Sequence, residues 1–157
     1  MSRFSDEYDE QFNNQGEFWW ANARRALNGR KGQQALRDLR EALLALPQPR
    51  LIEGRLANDQ GEVCAVGALV VHKRVAKGEK REDILKELDR MIDEDDWHND
   101  PAEITAACGT AVGLTFVLAW QLASVNDETL YGLDPEARHA AVLTWIAANL
   151  HDEAVPA

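Results

Sequence analysis

The sequence predicts a mainly α fold, a compact bundle of about six to seven short helices with one small β-hairpin. Three observations predict it. Apolar residues recur at helical spacing in several segments. Between these segments the chain is interrupted by Pro, Gly or Asn-Gly. One further stretch has two short extended runs around a Gly-containing turn. At 157 residues the chain is long enough to bury a core, so one domain is the default expectation.

The first two helices follow from the spacing of aromatic residues and leucines. A helix is predicted over 17–28, where Trp19, Ala23 and Leu27 recur at helical spacing and Asn28-Gly29 ends the pattern. A second helix over 31–46 places its leucines on one face, and Pro47 stops it.

Later helices are predicted from apolar faces and from proline at first helical positions. Leu85, Leu88 and Met91 fall on one helical face, and Pro101 and Pro135 each suit the first position of a helix. The uncharged run 104–125 favours two short buried helices over a membrane span. Whether that run is one helix or two stays open at this point. The predicted ranges are 65–76, 81–92, 102–112, 115–125 and a last helix from Pro135 onward.

The β-hairpin is predicted between the second and third helices. Two short extended runs, 51–56 and 62–64, flank the turn-forming residues Asn58-Asp59-Gln60-Gly61. Around this framework we expect a loosely ordered acidic arm at 1–16, a single helical domain at 17–151 and a loose tail at 152–157. The start of the chain is acidic and has no apolar segment, which argues against a secretory signal.

Charge limits the classes of partner. The formal net charge of −10 argues against general affinity for nucleic acid or an anionic membrane. The distribution is uneven, because 17–57 holds eight basic residues against four acidic ones, whereas 81–100 holds nine acidic residues against three basic ones. The sequence therefore predicts a charge dipole, which is either a pair of solvated helix faces or two faces for two partners.

Candidate binding residues follow from this dipole and from tryptophans at positions unsuited to a core. The acidic loop is defined here as 93–100, and its candidates are Asp93, Glu94, Asp95, Asp96 and Trp97. Trp20 is a second candidate anchor, because exposed tryptophans are enriched at interface hot spots. A nucleic-acid contact is expected only through the basic first two helices, at Arg24, Arg25, Arg37 and Arg40.

Cys64 is the candidate nucleophile, because a thiol at the start of a helix gains thiolate character from the helix dipole. None of the four histidines has the spacing of a cysteine hydrolase, so the packing interpretation, a small buried hydrophobe, is preferred. Asn126 and Asp127 are interpreted as a structural pair that satisfies buried backbone groups at the start of the 65–76 helix.

No cofactor and no metal are expected. The loop Asp93-x-Asp95-x-Trp97 departs from a calcium loop at the third ligand position, and a later histidine replaces the required glycine. The sequence has no phosphate-binding Gly-Lys-Ser/Thr loop and no Cys-x-x-Cys pair. Two cysteines do not form a disulfide framework, so reduced thiols in a cytoplasmic protein are expected.

The segment Cys64-Ala-Val-Gly67-Ala68-Leu69, followed downstream by Asn126-Asp127, resembles several families of uncharacterised phage and bacterial proteins that carry Cys-x-x-Gly-Ala-Leu and a later Asn-Asp pair. The resemblance covers roughly 50–147. It implies a phage or prophage setting and a small cytoplasmic helical fold, and it carries no known activity.

The sequence thus predicts a small acidic protein of phage or prophage type that binds a host or defence macromolecule without catalysis. The first alternative is a small cysteine-dependent enzyme that uses Cys64. The second is a nucleic-acid-associated protein that uses the arginines of its first two helices. A homo-oligomer is left open, and no membrane association is expected.

Overall fold

The structure, a computed structural model, describes residues 21–93, 95, 96, 98, 100–129 and 132–151. The described part is mainly helical, as predicted, and a π-helical turn at Val125–Thr129 continues directly from the sixth helix. The predicted arm and tail, and Trp20, Glu94 and Trp97, lie outside the described residues. The helices are α1 (21–28), α2 (Arg30–Leu44), α3 (Ala65–Ala76), α4 (Arg81–Met91), α5 (Pro101–Ala111), α6 (Phe116–Ser124) and α7 (Pro135–Asn149).

Local chemistry accounts for where the last three helices begin. Asp100, Thr115 and Asp134 are the N-caps of α5, α6 and α7, and each side chain accepts a hydrogen bond from a first-turn N–H. Pro101 and Pro135 occupy first helical positions, as the sequence predicts. The uncharged run 104–125 is two helices, and no helix in the described part of the chain is long and apolar enough to cross a membrane.

The predicted β-hairpin is wrong. Among the described residues there is no strand, and the antiparallel pairing is reduced to an isolated bridge between Ala57 and Val63. Gly54 has a φ of +77°, which breaks the extended run, and its N–H is donated to the carboxylate of Asp127 instead of a strand partner. The segment therefore bonds to several separate elements, and a two-stranded ladder does not form.

Helix α3 lies at the centre of the core. Every residue from Ala65 to Val71 is buried, and α3 packs against α2, α4, α5 and α6. Leu88, predicted to lie on the apolar face of α4, is buried against this core together with Ile84 and Ile92. Met91, predicted on the same face, is 42% exposed, and Val75 of α3 is 43% exposed, since each lies in the last turn of its helix.

α3 rests directly on the backbone of the preceding segment. A Cβ placed on Gly67 would lie 2.2 Å from the carbonyl oxygen of Leu56 and 3.3 Å from the Cβ of Val63. The same Leu56 oxygen accepts a 3.1 Å hydrogen bond from the N–H of Cys64. Only glycine allows this approach, so the fourth residue of the Cys-x-x-Gly pattern has a packing explanation.

We expect Gly67→Ala to lower the free energy of unfolding by about 1–3 kcal/mol or more, because its methyl group would overlap a backbone oxygen that cannot move aside. Urea unfolding followed by circular dichroism measures this. Gly29→Ala is the matched control, since a Cβ there would lie 3.5 Å from its nearest neighbour. Equal losses in the two variants would contradict the close-packing explanation.

Candidate functional site

Cys64 caps the N-terminus of α3. Its backbone is extended, with φ −84° and ψ 179°, and its Sγ accepts a 3.3 Å hydrogen bond from the N–H of Gly67. The side chain is 4% exposed. The sequence prediction that Cys64 lies at the start of a helix is therefore confirmed, and the thiol is used as a cap.

Burial controls the acidity of this thiol. The pKa of Cys64 is raised to about 12, chiefly because burial removes solvent from the thiolate; the hydrogen bond from the N–H of Gly67 opposes this rise, and the nearby carboxylate of Asp127 adds to it. The effect of the helix N-terminus is therefore smaller than the cost of desolvating a thiolate. Cys64 is a neutral thiol at pH 7, which is the unreactive form.

Asn126 lies in the π-helical turn and bridges two distant parts of the backbone. Its Oδ1 accepts a 3.1 Å hydrogen bond from the N–H of Ala65, and its Nδ2 donates a 2.9 Å hydrogen bond to the carbonyl oxygen of Ile52. The residue is 1% exposed. One amide thus joins the first residue of α3 to the segment that precedes it, which is the role the sequence suggests.

Asp127 supports the amide of Asn126 and is itself half-buried. Its Oδ1 accepts a 2.7 Å hydrogen bond from Nδ2 of Asn126 and a 3.2 Å hydrogen bond from the N–H of Gly54. The first bond orients the amide so that its oxygen faces Ala65. The pair acts as one unit, in which Asn126 carries the buried contacts and Asp127 carries those nearer the surface.

Arg138 completes the arrangement, which we call the α3 cluster: Cys64, Asn126, Asp127 and Arg138. The Arg138 side chain is 2% exposed, its Nε donates a 3.0 Å hydrogen bond to the carbonyl oxygen of Asn126, and its guanidinium forms a 2.9 Å ion pair with Glu53. This role of Arg138 was not predicted from the sequence. Its signal is the spacing of Arg138, Val142 and Ile146, which puts an arginine on the buried face of α7.

The remaining residues of the Cys-x-x-Gly-Ala-Leu pattern are packing residues. Ala68 and Leu69 are 1% and 0% exposed and belong to the hydrophobic core. Together with Gly67, they let α3 lie close to its neighbours. The whole pattern thus has a structural explanation, in which the cysteine caps, the glycine permits contact and the last two residues fill the core.

The acidic loop joins α4 to α5. Asp93 and Asp95 are exposed, and Asp96 is half-buried. Asp93 accepts a hydrogen bond from the N–H of Asp95, and Asp96 accepts one from the N–H of His98. These short side chain to backbone bonds shape the loop locally, and they leave most of its negative charge at the surface.

The basic candidates lie on the first two helices. Arg24, Arg25 and Arg40 are exposed, and Arg37 is half-buried and donates a hydrogen bond to Gln34. In the part of the chain that the structure describes, no group of three His, Cys, Asp or Glu side chains could hold a metal ion. No family model, curated protein or solved structure matches this chain.

We expect Asn126→Ala to lower the free energy of unfolding by about 1–3 kcal/mol, because it leaves the buried N–H of Ala65 and the oxygen of Ile52 without partners. Asp127→Ala should cost less, about 0.5–1.5 kcal/mol, since the Gly54 N–H it frees can bind water. Chemical denaturation measures both.

The matched control for Asn126→Ala is Asn149→Ala, because the Asn149 side chain donates to the Trp145 carbonyl of its own helix and to no other described residue. The free energy of unfolding of Asn149→Ala should be close to that of the parent protein. An Asn126→Ala variant as stable as this control would show that the cluster does not hold α3 in place.

We expect Cys64 to react slowly with iodoacetamide in the native protein at pH 7, because the thiolate is the reactive form and its pKa is raised to about 12. The rate should rise only as the pH approaches that value. Peptide mass spectrometry separates the labelling of Cys64 from that of Cys108. Burial also raises the pKa of Cys108. Urea-unfolded protein, in which both thiols label quickly, is the control. Fast native labelling of Cys64 near neutral pH would instead support the enzyme alternative.

Proposed function

We propose that this protein works by binding a protein partner from a host or defence system and performs no catalysis, in the phage or prophage setting that its Cys-x-x-Gly-Ala-Leu resemblance implies. One observation carries the proposal: the polar groups of the α3 cluster are buried and already bonded to backbone. Cys64 is bonded to Gly67, and Asn126 is bonded to Ala65 and Ile52. A catalytic group has to reach a substrate, and these groups are engaged in holding the fold.

The acidic loop is the surface we propose for the first contact with the partner. Asp93, Asp95 and Asp100 are exposed, and the chain as a whole carries a formal net charge of −10. Such a surface attracts a basic partner and raises its association rate. Trp97 within the loop and Trp20 are the proposed aromatic anchors.

We further propose a cytoplasmic setting. Cys64 and Cys108 are free and buried, and buried reduced thiols are the ordinary state in a reducing compartment. This part of the proposal is independent of the partner and rests on the two cysteines alone.

Two alternatives remain as outcomes of the tests. The enzyme alternative needs an activating base at Cys64, and among the described residues the groups that shift its pKa include no histidine. The nucleic-acid alternative is favoured by the exposure of Arg24, Arg25 and Arg40. It would show a steep loss of DNA or RNA affinity with added salt.

The binding proposal predicts that removing charge from the acidic loop weakens capture of the partner. The variant is Asp93→Asn with Asp95→Asn, because an asparagine oxygen can still accept the backbone hydrogen bond that Asp93 accepts. Tagged protein is used to capture partners from a bacterial lysate, and quantitative mass spectrometry compares the variant with the parent. We expect several-fold less partner, and the loss should shrink with added salt, since surface charges are screened beyond about 8 Å at physiological ionic strength.

The matched control removes two exposed charges elsewhere, Glu41→Gln with Asp83→Asn. It should capture as much partner as the parent protein. Equal capture by all three proteins removes the acidic loop as the contact surface. Loss of capture on replacing Arg24, Arg25, Arg37 and Arg40 instead would move the interface to α1 and α2.

A further inference from the structure

Three adjoining depressions form a continuous groove along α4, which we call the α4 groove. A central cavity of about 590 Å³ shares Leu46 and Arg81 with an apolar cavity of about 170 Å³. It shares Gln60, Gly61 and Leu85 with a third cavity of about 390 Å³. The groove is open to solvent along its length, which suits an extended chain better than a small molecule that a pocket would enclose.

The apolar end of the groove lies between α2 and α3. Besides His72, Leu46 and Arg81, it is lined by small and branched side chains, Ala42, Ala45, Ala68, Val71 and Val75. Val75 is 43% exposed, so this end presents uncovered apolar surface. A volume of about 170 Å³ accommodates one aliphatic or benzene-sized group.

The centre of the groove holds two arginines in different states. Arg50 is bound by Glu62 at 2.8 Å and also pairs with Glu136, so its charge is already compensated. Arg81 is half-buried in the wall of the same cavity, and its side chain has no hydrogen bond or ion pair within the part of the chain that the structure describes. A partly desolvated guanidinium without a carboxylate is a ready site for an acidic side chain.

The far end of the groove has the opposite charge. Asp59 and Glu82 are exposed there and make no ion pair with another described residue, whereas Asp89 is bound by Arg55 at 2.8 Å. Lys86 offsets one of these negative charges. A basic side chain therefore suits this end, and a chain of phosphates would be repelled.

We infer that the α4 groove binds an extended peptide segment of a partner protein that carries an aliphatic residue, then an acidic residue, then a basic residue. The inference rests on the proposed binding function and names a second surface for it. The carboxylates that make no ion pair with a described residue, Asp59 and Glu82, line the end of the groove opposite the apolar end, and Arg81 lines the cavities between. The acidic residue should therefore lie between the aliphatic and the basic residue of the bound segment.

A random twelve-residue peptide library selected on the immobilised full-length protein tests the inference. We expect enriched peptides to share the aliphatic, acidic and basic order, and fluorescence polarisation then measures the affinity of the best labelled peptide. Arg81→Gln should weaken binding about tenfold or more, because a charge-assisted pair is lost. The matched control is Arg90→Gln on the same helix, since Arg90 is exposed and does not line the groove, and it should bind like the parent.

The library selection is repeated on a second variant, Asp59→Lys with Glu82→Lys. Peptides enriched on this variant should keep the acidic residue and lack the basic one. Three results would overturn the inference: no peptide is enriched, the enriched peptides lack an acidic residue, or the Arg81→Gln and Arg90→Gln variants bind with equal affinity. Lysate capture that depends on the acidic loop but is unchanged in Arg81→Gln would refute the groove and leave the binding function standing. If no partner is captured from the lysate but peptides bind selectively, the groove is supported and the proposed binding function is refuted.

Discussion

The amide of Asn126 holds the first residue of α3, and the rest of the core is arranged around that helix. Helix α3 is buried from Ala65 to Val71, so the N–H groups of its first turn cannot turn to water. They need acceptors from the protein, and the Asn126 oxygen and the Cys64 sulfur supply them. An unsatisfied buried donor costs about 1–3 kcal/mol, against a typical total stability of about 5–15 kcal/mol.

This arrangement also limits the chemistry of the protein. Cys64, the candidate nucleophile, is bonded to the backbone, as is the carboxylate of Asp127, and burial keeps the thiol protonated. Arg138, a residue type that is rarely buried, is bound to the Asn126 carbonyl and to Glu53. With the polar groups of the α3 cluster engaged in this way, the proposed binding function rests on the surface of the molecule.

The two proposed contact surfaces share one helix. The α4 groove runs beside α4, and the acidic loop begins two residues after the helix ends at Met91. Segment 50–57 joins both to the α3 cluster, because Gly54 is bonded to Asp127 and Arg55 is bonded to Asp89 of α4. The cluster therefore positions the segment between two residues that line the groove, Arg50 and Asn58. A variant that loosens the cluster should be checked for stability before its binding is interpreted.

The sequence by itself determined the helices, their starts at Pro101 and Pro135, and the place of Cys64 at the head of α3. These depend on residues within a turn of each other, and local spacing and capping report them. The tertiary structure decided the rest. Segment 51–57 does not form a hairpin strand, because the N–H of Gly54 and the carbonyl of Ile52 bond to Asp127 and Asn126, more than 60 residues away along the chain. The α4 groove joins side chains from α2, α3, α4 and the loop between α2 and α3. Burial, the raised pKa of Cys64 and the buried position of Arg138 likewise depend on which segments meet, which short-range pattern does not encode.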